Sequence, residues 1–382
     1  MAHTRKRLAF EKLLKRLKFS PVVAIQGARQ TGKSVLAQKL LAKEIDAQWV
    51  SFDQMGPLQL CRASPETFLA GFNPRKLLII DEAQKASNVF DAVKFAVDQD
   101  RRPGRFLLLG STEFSHLQQI RESLTGRLSR IRLFPLVYRE LSGQSSGALK
   151  VSRRELLKYL DIGGMPAIAF ARDAEVRMDL LEDWIQLTCQ RDIHQFKRLK
   201  LDSDLAFLVL KATATLEEPT LAEITRSCRT HSRRVQSHLQ ALQELFCVIR
   251  LNPHPSGAGK PLFLPLDPGV AGYFGASLMR RLHIALLNER MAHNQYFGSK
   301  TDLFFYYRST GKTHIHLIEE SVDGRLTASQ LIDREALRKT DMNLLNAFGK
   351  KSPKATLQLM APVTEPMKMG RIHVLPWEKI CL

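Results

Sequence analysis

Four residues near the start of the chain have the types and spacing needed to hold phosphate. Gly27, Gly32, Lys33 and Ser34 fit the pattern G-x-x-x-x-G-K-[ST] of a phosphate-binding P-loop. In such a loop the backbone N–H groups surround an anion, the lysine reaches the terminal phosphates and the hydroxyl ligates Mg²⁺. The pattern therefore predicts a site for ATP and Mg²⁺, formed by Gly27, Ala28, Arg29, Gln30, Thr31, Gly32, Lys33, Ser34 and Val35.

Two adjacent acids supply the groups that hydrolysis of a nucleotide needs. Asp81 and Glu82 directly follow the apolar run LLII at residues 77–80, which is the Walker B pattern. We expect Asp81 to hold Mg²⁺ together with Ser34, and Glu82 to polarise the attacking water as general base. The pair favours an ATPase and argues against a small-molecule kinase.

Two further catalytic candidates join Lys33 and Glu82. Ser111 follows the apolar run FLLL, in the position of a residue that senses the γ-phosphate, although a surface turn after a strand has the same pattern. Arg127 lies where an arginine completes either the site of its own subunit or that of a neighbour. The second alternative implies a homo-oligomer.

The order of the apolar segments predicts how these side chains are positioned. The runs at residues 22–25, 77–80 and 106–109 are continuously apolar, which is typical of parallel strands covered on both faces. Residues 47–53 and 129–136 are expected to add two strands, and residues 115–125 a helix. We therefore predict an α/β fold, a P-loop NTPase core with a parallel sheet, followed by a helical lid with a winged helix and a small α/β C-terminal domain.

Composition limits the environment and the partners. No apolar run approaches the roughly 18 to 20 residues that cross a bilayer, so we expect no membrane span and a cytoplasmic protein. The five cysteines form no C-x-x-C pair, which argues against a disulfide framework or a zinc site. The net charge of +19 favours a polyanionic partner such as DNA or another nucleic acid, although some basic proteins are merely soluble.

Changes of pattern along the chain predict five segments. They are a basic N-terminal helix (1–19), the ATPase core (20–145), a helical lid (146–202), a winged-helix domain (203–275) and an α/β domain (276–382). In the last of these, His314 and His316 share one face of a predicted strand. Without a third ligand, a structural role is favoured over a metal site.

The winged-helix segment contains the candidate contacts to nucleic acid. Its third helix begins with SRRVQSH, which puts Arg233, Arg234 and His238 on the expected outer face, the position from which a recognition helix reaches the major groove. Winged helices attached to ATPases also serve as lids or packing modules, and this alternative stays open.

The motifs together resemble a family of prokaryotic AAA-type P-loop ATPases that carry a C-terminal domain of unknown function. The shared features cover residues 1–275 and are GARQTGKS (27–34), LLIIDEAQ (77–84), LLGSTEF (108–114), ESLTGR (122–127), RLFPL (132–136), GGMP (163–166), RDI (191–193) and LDPGV (266–270). The resemblance implies a restriction-endonuclease-like tail. Here Thr313 and Ile315 stand where that fold carries its acids, and no [DE]-x-K follows Lys300, so the tail is expected to be catalytically degenerate.

The sequence thus predicts an AAA-type ATPase that binds and hydrolyses ATP with Mg²⁺ and associates with nucleic acid. The alternative is an ATP-dependent switch or scaffold that gates an unknown protein partner with little turnover.

Overall fold

A five-stranded parallel sheet forms the centre of the N-terminal part of the chain. Its strands are β1 (Val22–Gln26), β2 (Ala47–Ser51), β3 (Leu77–Asp81), β4 (Phe106–Gly110) and β5 (Leu128–Arg132), in the order β2-β3-β4-β1-β5. All neighbouring strands run parallel, and every residue of β1, β3 and β4 is buried. The predicted α/β class with a parallel sheet is confirmed.

The helices that alternate with these strands along the chain pack around the sheet. They are Ala9–Leu17, the segment after the P-loop, Met55–Ala63, Pro65–Ala70 and Val89–Gln99, with a 3-10 turn at Ala83–Lys85. The segment after the P-loop is α-helical over Lys33–Val35, π-helical over Leu36–Leu41 and α-helical again over Ala42–Glu44. Phe52, Phe90 and Phe114 are fully buried in the core, so aromatic packing helps to fix strands that carry the site.

The computed structural model describes residues 5–114, 126–144, 149–298, 301–309 and 314–381. The helix predicted at residues 115–125 lies outside them, as do Thr313 and most of the polar break at residues 144–147. The chain divides into two units, one from Met1–Pro135 with Glu244–Phe246, the other from Leu136–Gln243 with Cys247–Leu382. The five predicted segments remain a proposal at a finer level than this division.

The second unit begins with helices and ends in a mixed sheet. Its α-helices are Tyr138–Ser142, Arg153–Ile162, Pro166–Ala169, Ala174–Gln190, Ser203–Thr215, Leu221–Ser227, Ser232–Glu244, Pro268–Tyr273, Leu278–Phe297 and Asn343–Lys351. Its strands are β6 (Val248–Pro253), β7 (Leu262–Pro265), β8 (Thr301–Arg308), β9 (His314–Ser321), β10 (Leu326–Leu331), β11 (Thr356–Ala361), β12 (Met367–Met369) and β13 (Ile372–Pro376).

The hairpin β6–β7 is continuous with the C-terminal strands. The sheet order is β12-β13-β11-β10-β9-β8-β6-β7, and β6 pairs in parallel with β8 through Asn252 opposite Phe305 and Pro253 opposite Tyr306. The segments predicted as a winged-helix domain and a C-terminal domain therefore share one eight-stranded sheet, because the end of β6 offers its backbone groups to β8.

A buried aspartate, Asp267, connects the motifs LDPGV and GGMP, for which the sequence predicts no chemical role. Asp267, from LDPGV, accepts hydrogen bonds from the backbone N–H groups of Gly164 (2.7 Å), Gly269 (2.8 Å) and Val270 (3.4 Å). Gly164 belongs to GGMP, so this one carboxylate caps the helix Pro268–Tyr273 and holds the turn after Arg153–Ile162. Burial raises the pKa of Asp267 to about 6, and the three hydrogen bonds oppose that rise.

Candidate nucleotide-binding site

The P-loop leaves the carboxyl end of β1 and turns sharply into a helix. Gln30 and Gly32 have positive φ angles of 62° and 92°, and such left-handed residues turn successive backbone N–H groups toward one concave face. Gly27 must lack a side chain, because a Cβ there would lie 2.2 Å from the carbonyl oxygen of Leu133. The loop has the backbone form of an anion-binding site.

The P-loop lysine is folded back into the loop. Lys33 is buried, and its Nζ donates to the carbonyl oxygens of Gly27 (2.9 Å) and Ala28 (2.8 Å). A buried ammonium needs such partners, and phosphate oxygens would offer the same acceptors with a full negative charge. Lys33 is thus positioned to exchange backbone partners for a phosphate. Arg29 and Thr31 lie in the loop, and Ser34 and Val35 lie in the helix that follows it, where the Val35 side chain is 46% exposed.

The two predicted magnesium ligands contact each other. Ser34 Oγ donates a hydrogen bond of 2.8 Å to Asp81 Oδ2. Burial raises the pKa of Asp81 above the usual value of an aspartate, and the Ser34 hydrogen bond opposes this rise. A hydroxyl and a carboxylate are the hard oxygen ligands that Mg²⁺ prefers, so these residues fit the ion.

The predicted general base lies in a small network of side chains. Ser111 Oγ donates to Glu82 Oε2 at 3.1 Å, and Gln84 Nε2 donates to the same Glu82 oxygen and to Ser111 Oγ, the latter at 3.0 Å. Glu82 itself has φ 53°, a left-handed backbone conformation that is strained for a non-glycine residue. Because β4 lies between β1 and β3, Ser111 is placed between the P-loop and the two acids.

Arg127 lies away from the nucleotide site of its own chain. It precedes β5, whose Leu128 pairs with Val22 at the start of β1, whereas the P-loop follows Gln26 at the other end. With about 3.3 Å per residue, the two sheet edges are roughly 13 Å apart. Arg127 forms an ion pair with Asp98 instead, with 2.6 Å between Nη2 and Oδ1. The hypothesis that it completes its own site is wrong, because parallel strands deliver their two ends to opposite edges.

The predicted nucleic-acid residues separate into two groups. Arg233 and Arg234 are exposed at the start of the helix Ser232–Glu244. His238 is 1% exposed, and its ring forms hydrogen bonds with the Arg234 carbonyl (2.7 Å) and with the backbone N–H of Asp202 (2.9 Å). The placement of His238 on the outer face is wrong, because His238 lies at i+3 from Val235 and beside Leu239, and these three residues form the packed face of the helix.

His314 and His316 meet a third histidine, His283 of the helix Leu278–Phe297. The ring centroid of His316 lies 4.5 Å from that of His314 and 5.0 Å from that of His283. Burial lowers the pKa values of His283 and His316 well below the usual range, so both are neutral. His283 Nε2 bonds to the His316 carbonyl (2.9 Å), and the Leu331 N–H donates to His316 Nδ1 (3.1 Å). Across the described ranges, no cluster of three or more His, Cys, Asp or Glu is arranged to hold a metal.

Three residues of the site were missed by the sequence reasoning. Gln84 lies in the motif DEAQ, and its spacing of two from Glu82 is a signal that could have found it. Gln26, the last residue of β1, holds the loop after β4 through a 2.8 Å hydrogen bond from its Nε2 to the Thr112 carbonyl. Arg7 bonds to the P-loop backbone, but nothing in the sequence distinguishes it from the other basic residues of the N-terminal segment.

The fold and these contacts are those of a P-loop domain. Residues 19–142 match the family model described as AAA domain, and residues 153–262 match a model for a domain of unknown function. The first match ends and the second begins shortly after the boundary at residue 135 between the two units.

Relatives extend beyond the P-loop domain. Uncharacterized proteins of Mycobacterium bovis and Mycobacterium tuberculosis are each 28% identical over 257 residues, covering 67% of this chain and 55% of theirs. An uncharacterized protein of Methanocaldococcus jannaschii is 21% identical, covering 60% and 56%. The chain thus spans about half the length of the curated relatives it matches. A solved structure, the Walker-type ATPase of Pyrococcus abyssi, is 16% identical with a TM-score of 0.46, covering 70% of this chain and 94% of that one.

Within the part of the chain that the structure describes, every helix is too short or too polar to cross a membrane.

Proposed function

We propose that this protein binds ATP and hydrolyses it. The observation that carries the proposal is the hydrogen bond between Ser34 and Asp81, because it brings the P-loop and the acidic strand end together at one sheet edge. In this proposal the backbone N–H groups of the P-loop and Lys33 bind the phosphates. Ser34 and Asp81 would hold Mg²⁺, which would neutralise charge on the phosphates.

Glu82 accepts the proton of the attacking water in this proposal. Its carboxylate accepts hydrogen bonds from Ser111 and Gln84, which orient it. Ser111 follows β4, between β1 and β3, and this position suits a hydroxyl that contacts the γ-phosphate. A carboxylate at the end of a buried strand keeps its orientation because the strand cannot move without disturbing the core.

Two substitutions test this division of roles. Lys33→Ala should abolish ATP binding, since the phosphates lose their buried cation. Glu82→Gln should bind ATP as the wild type does and lose turnover by about 100-fold or more, because only the base is removed. Affinity is measured by calorimetry and turnover by phosphate release. A Glu82→Gln variant with the wild-type rate would remove Glu82 from the mechanism.

We further propose that the second unit contacts nucleic acid. The chain carries 57 lysines and arginines against 38 acids. The second unit contains the element order of a winged helix, three helices followed by the hairpin β6–β7; the helices are Ser203–Thr215, Leu221–Ser227 and Ser232–Glu244. Arg233 and Arg234 are exposed where the third of these helices begins. The steady-state ATPase rate with and without DNA tests whether this contact is linked to hydrolysis.

A second candidate function is an ATP-dependent switch that gates a protein partner. The observation that favours it is the double hydrogen bonding of Glu82 Oε2 by Gln84 and Ser111, which occupies the base. Very slow turnover that DNA leaves unchanged, combined with tight ATP binding, would select this alternative.

Arg127 keeps one proposed role, in the site of a neighbouring subunit of a homo-oligomer. Its ion pair with Asp98 is partly exposed, and such pairs contribute only about 0 to 1 kcal/mol, so a phosphate could replace Asp98 as partner. Arg127→Ala should then lower the ATPase rate only at protein concentrations at which the chain self-associates. An equal loss in the dilute monomer would contradict this role.

A further inference from the structure

Arg7 is buried in the most basic stretch of the chain. It is 5% exposed, although its neighbours Arg5 and Lys6 are exposed. Its guanidinium donates from Nη1 to the carbonyl oxygen of Thr31 (2.6 Å) and from Nη2 to that of Phe134 (2.7 Å). Arg7 therefore bonds directly to the backbone of the P-loop.

The bond to the Thr31 carbonyl constrains the peptide between Thr31 and Gly32, one residue before the P-loop lysine. In a trans peptide the carbonyl of one residue and the N–H of the next point in opposite directions. A donor that holds the Thr31 carbonyl therefore also sets the direction of the Gly32 N–H. Gly32 has φ 92°, a conformation at which a backbone without Cβ has little preference of its own, so an external partner can decide the orientation.

The second bond ties the loop to the segment after β5. Phe134 follows Leu133, whose carbonyl oxygen lies against Gly27 at the base of the P-loop, and the Leu133 N–H donates to the Gln26 carbonyl at 2.7 Å. One side of the loop thus packs on Leu133 directly, and the other side is joined to Phe134 through Arg7. The planar fork of arginine reaches both carbonyls at once, which the single ammonium of lysine cannot do with the same geometry.

We propose that Arg7 is a positioning residue for phosphate binding, which holds the Thr31–Gly32 peptide with its N–H directed at the phosphates. This inference rests on the proposed nucleotide-binding function. It assigns to the N-terminal segment a role in ATP affinity that its basic composition, typical of a solvated or polyanion-binding helix, does not indicate.

The test is the ADP affinity of the 382-residue chain without Mg²⁺, so that Ser34 and Asp81 do not contribute through the ion. Arg7→Ala should weaken ADP binding by about tenfold or more, because hydrogen bonds from a charged donor are among the strong ones. The ATPase KM should rise by a similar factor while kcat changes less. Arg7→Lys should fall between the wild type and Arg7→Ala.

Arg16→Ala is the matched control, since Arg16 is exposed on the adjacent helix Ala9–Leu17 and its removal costs the same charge. Its ADP affinity should equal that of the wild type. Circular dichroism and the melting temperature without nucleotide establish that the variants are folded. If Arg7→Ala does not fold, Arg7→Lys decides, because a folded lysine variant with wild-type affinity would contradict the need for the fork.

Two other outcomes would overturn the inference. One is wild-type ADP affinity in folded Arg7→Ala, and the other is a loss confined to kcat. Lys33→Ala separates this failure from that of the proposed function. If Lys33→Ala loses ADP binding while Arg7→Ala keeps it, only the role of Arg7 is wrong. If Lys33→Ala also binds normally, the nucleotide site itself is wrong.

Discussion

Ser34 Oγ donates a 2.8 Å hydrogen bond to Asp81 Oδ2, although the two residues are 47 positions apart in the chain. The bond joins the first turn after the P-loop to the end of β3. The fold thereby brings together two oxygen ligands suited to one cation.

The first prediction concerns Ser34 and Asp81, which we expect to increase nucleotide affinity through Mg²⁺. Ser34→Ala and Asp81→Asn should each reduce the gain in ADP affinity that Mg²⁺ confers, while affinity in EDTA changes little. The double variant should lose little more than either single one, because both act through the same ion. Calorimetry with and without Mg²⁺ measures this, and fully additive losses would show that the two residues act independently.

The second prediction concerns Ser111. Ser111→Ala should lower kcat by about tenfold with a small change in KM, since the hydroxyl that contacts Glu82 is lost while the phosphate-binding loop is intact. Thr112→Val is the control, because the neighbouring residue holds Gln26 through its backbone carbonyl, which valine keeps. Equal kcat in the wild type and Ser111→Ala would show that Ser111 belongs to a surface turn without a catalytic role.

The third prediction concerns the exposed arginines of the third helix. Replacing Arg233 and Arg234 by alanine should weaken binding similarly for all DNA sequences and reduce the log–log salt slope by about two, at roughly 0.9 per phosphate contact. Arg154→Ala with Lys158→Ala removes two exposed charges from another helix and serves as control. Unchanged affinity and slope in the Arg233 and Arg234 variant would leave this helix as a packing element.

The fourth prediction concerns pH. Burial raises the pKa of Asp267 to about 6 in the folded protein, so the folded state retains this proton to higher pH than the unfolded state does. The contribution of Asp267 to stability is therefore greatest below pH 4 and declines as the pH rises toward 6, by about 3 kcal/mol in total at 1.36 kcal/mol per unit.

The measurement is the melting temperature of the wild type minus that of Asp267→Asn, from pH 4 to 7. This difference should shrink as the pH rises, whereas any effect of the substitution on the hydrogen bonds adds a constant offset. Asp173→Asn is the control, because Asp173 also caps a helix, Ala174–Gln190, but is exposed. A flat difference for Asp267→Asn would contradict the prediction.

The fifth prediction concerns the C-terminal strands, whose restriction-endonuclease-like fold is itself a proposal. In β9, Ile315 is buried where an acid is expected, and β10 carries Ser329 and Gln330 in its buried part. Purified protein should not cut plasmid or single-stranded DNA with Mg²⁺ or Mn²⁺. Metal-dependent cleavage that persists in Lys33→Ala, and so does not depend on the ATP site, would refute this expectation.

Local patterns were sufficient to predict the P-loop, the acids and the strands that present them. The spacing from Gly27 to Ser34 is set by one loop, and a continuous apolar run such as residues 77–80 has few alternatives to a buried strand. The third helix of the predicted winged-helix segment, expected to begin with SRRVQSH, does begin at Ser232.

Tertiary structure decided which distant groups meet. The parallel direction of β1 and β5 places Arg127 at the edge opposite the P-loop, and the rotation of one helix buries His238 while Arg233 and Arg234 stay exposed. Arg7 is a basic residue like its exposed neighbours Arg5 and Lys6, and only the packing of its segment on the P-loop distinguishes it. Sequence spacing specifies contacts within one element, whereas contacts between elements depend on strand order and helix rotation, which are set by burial of the whole unit.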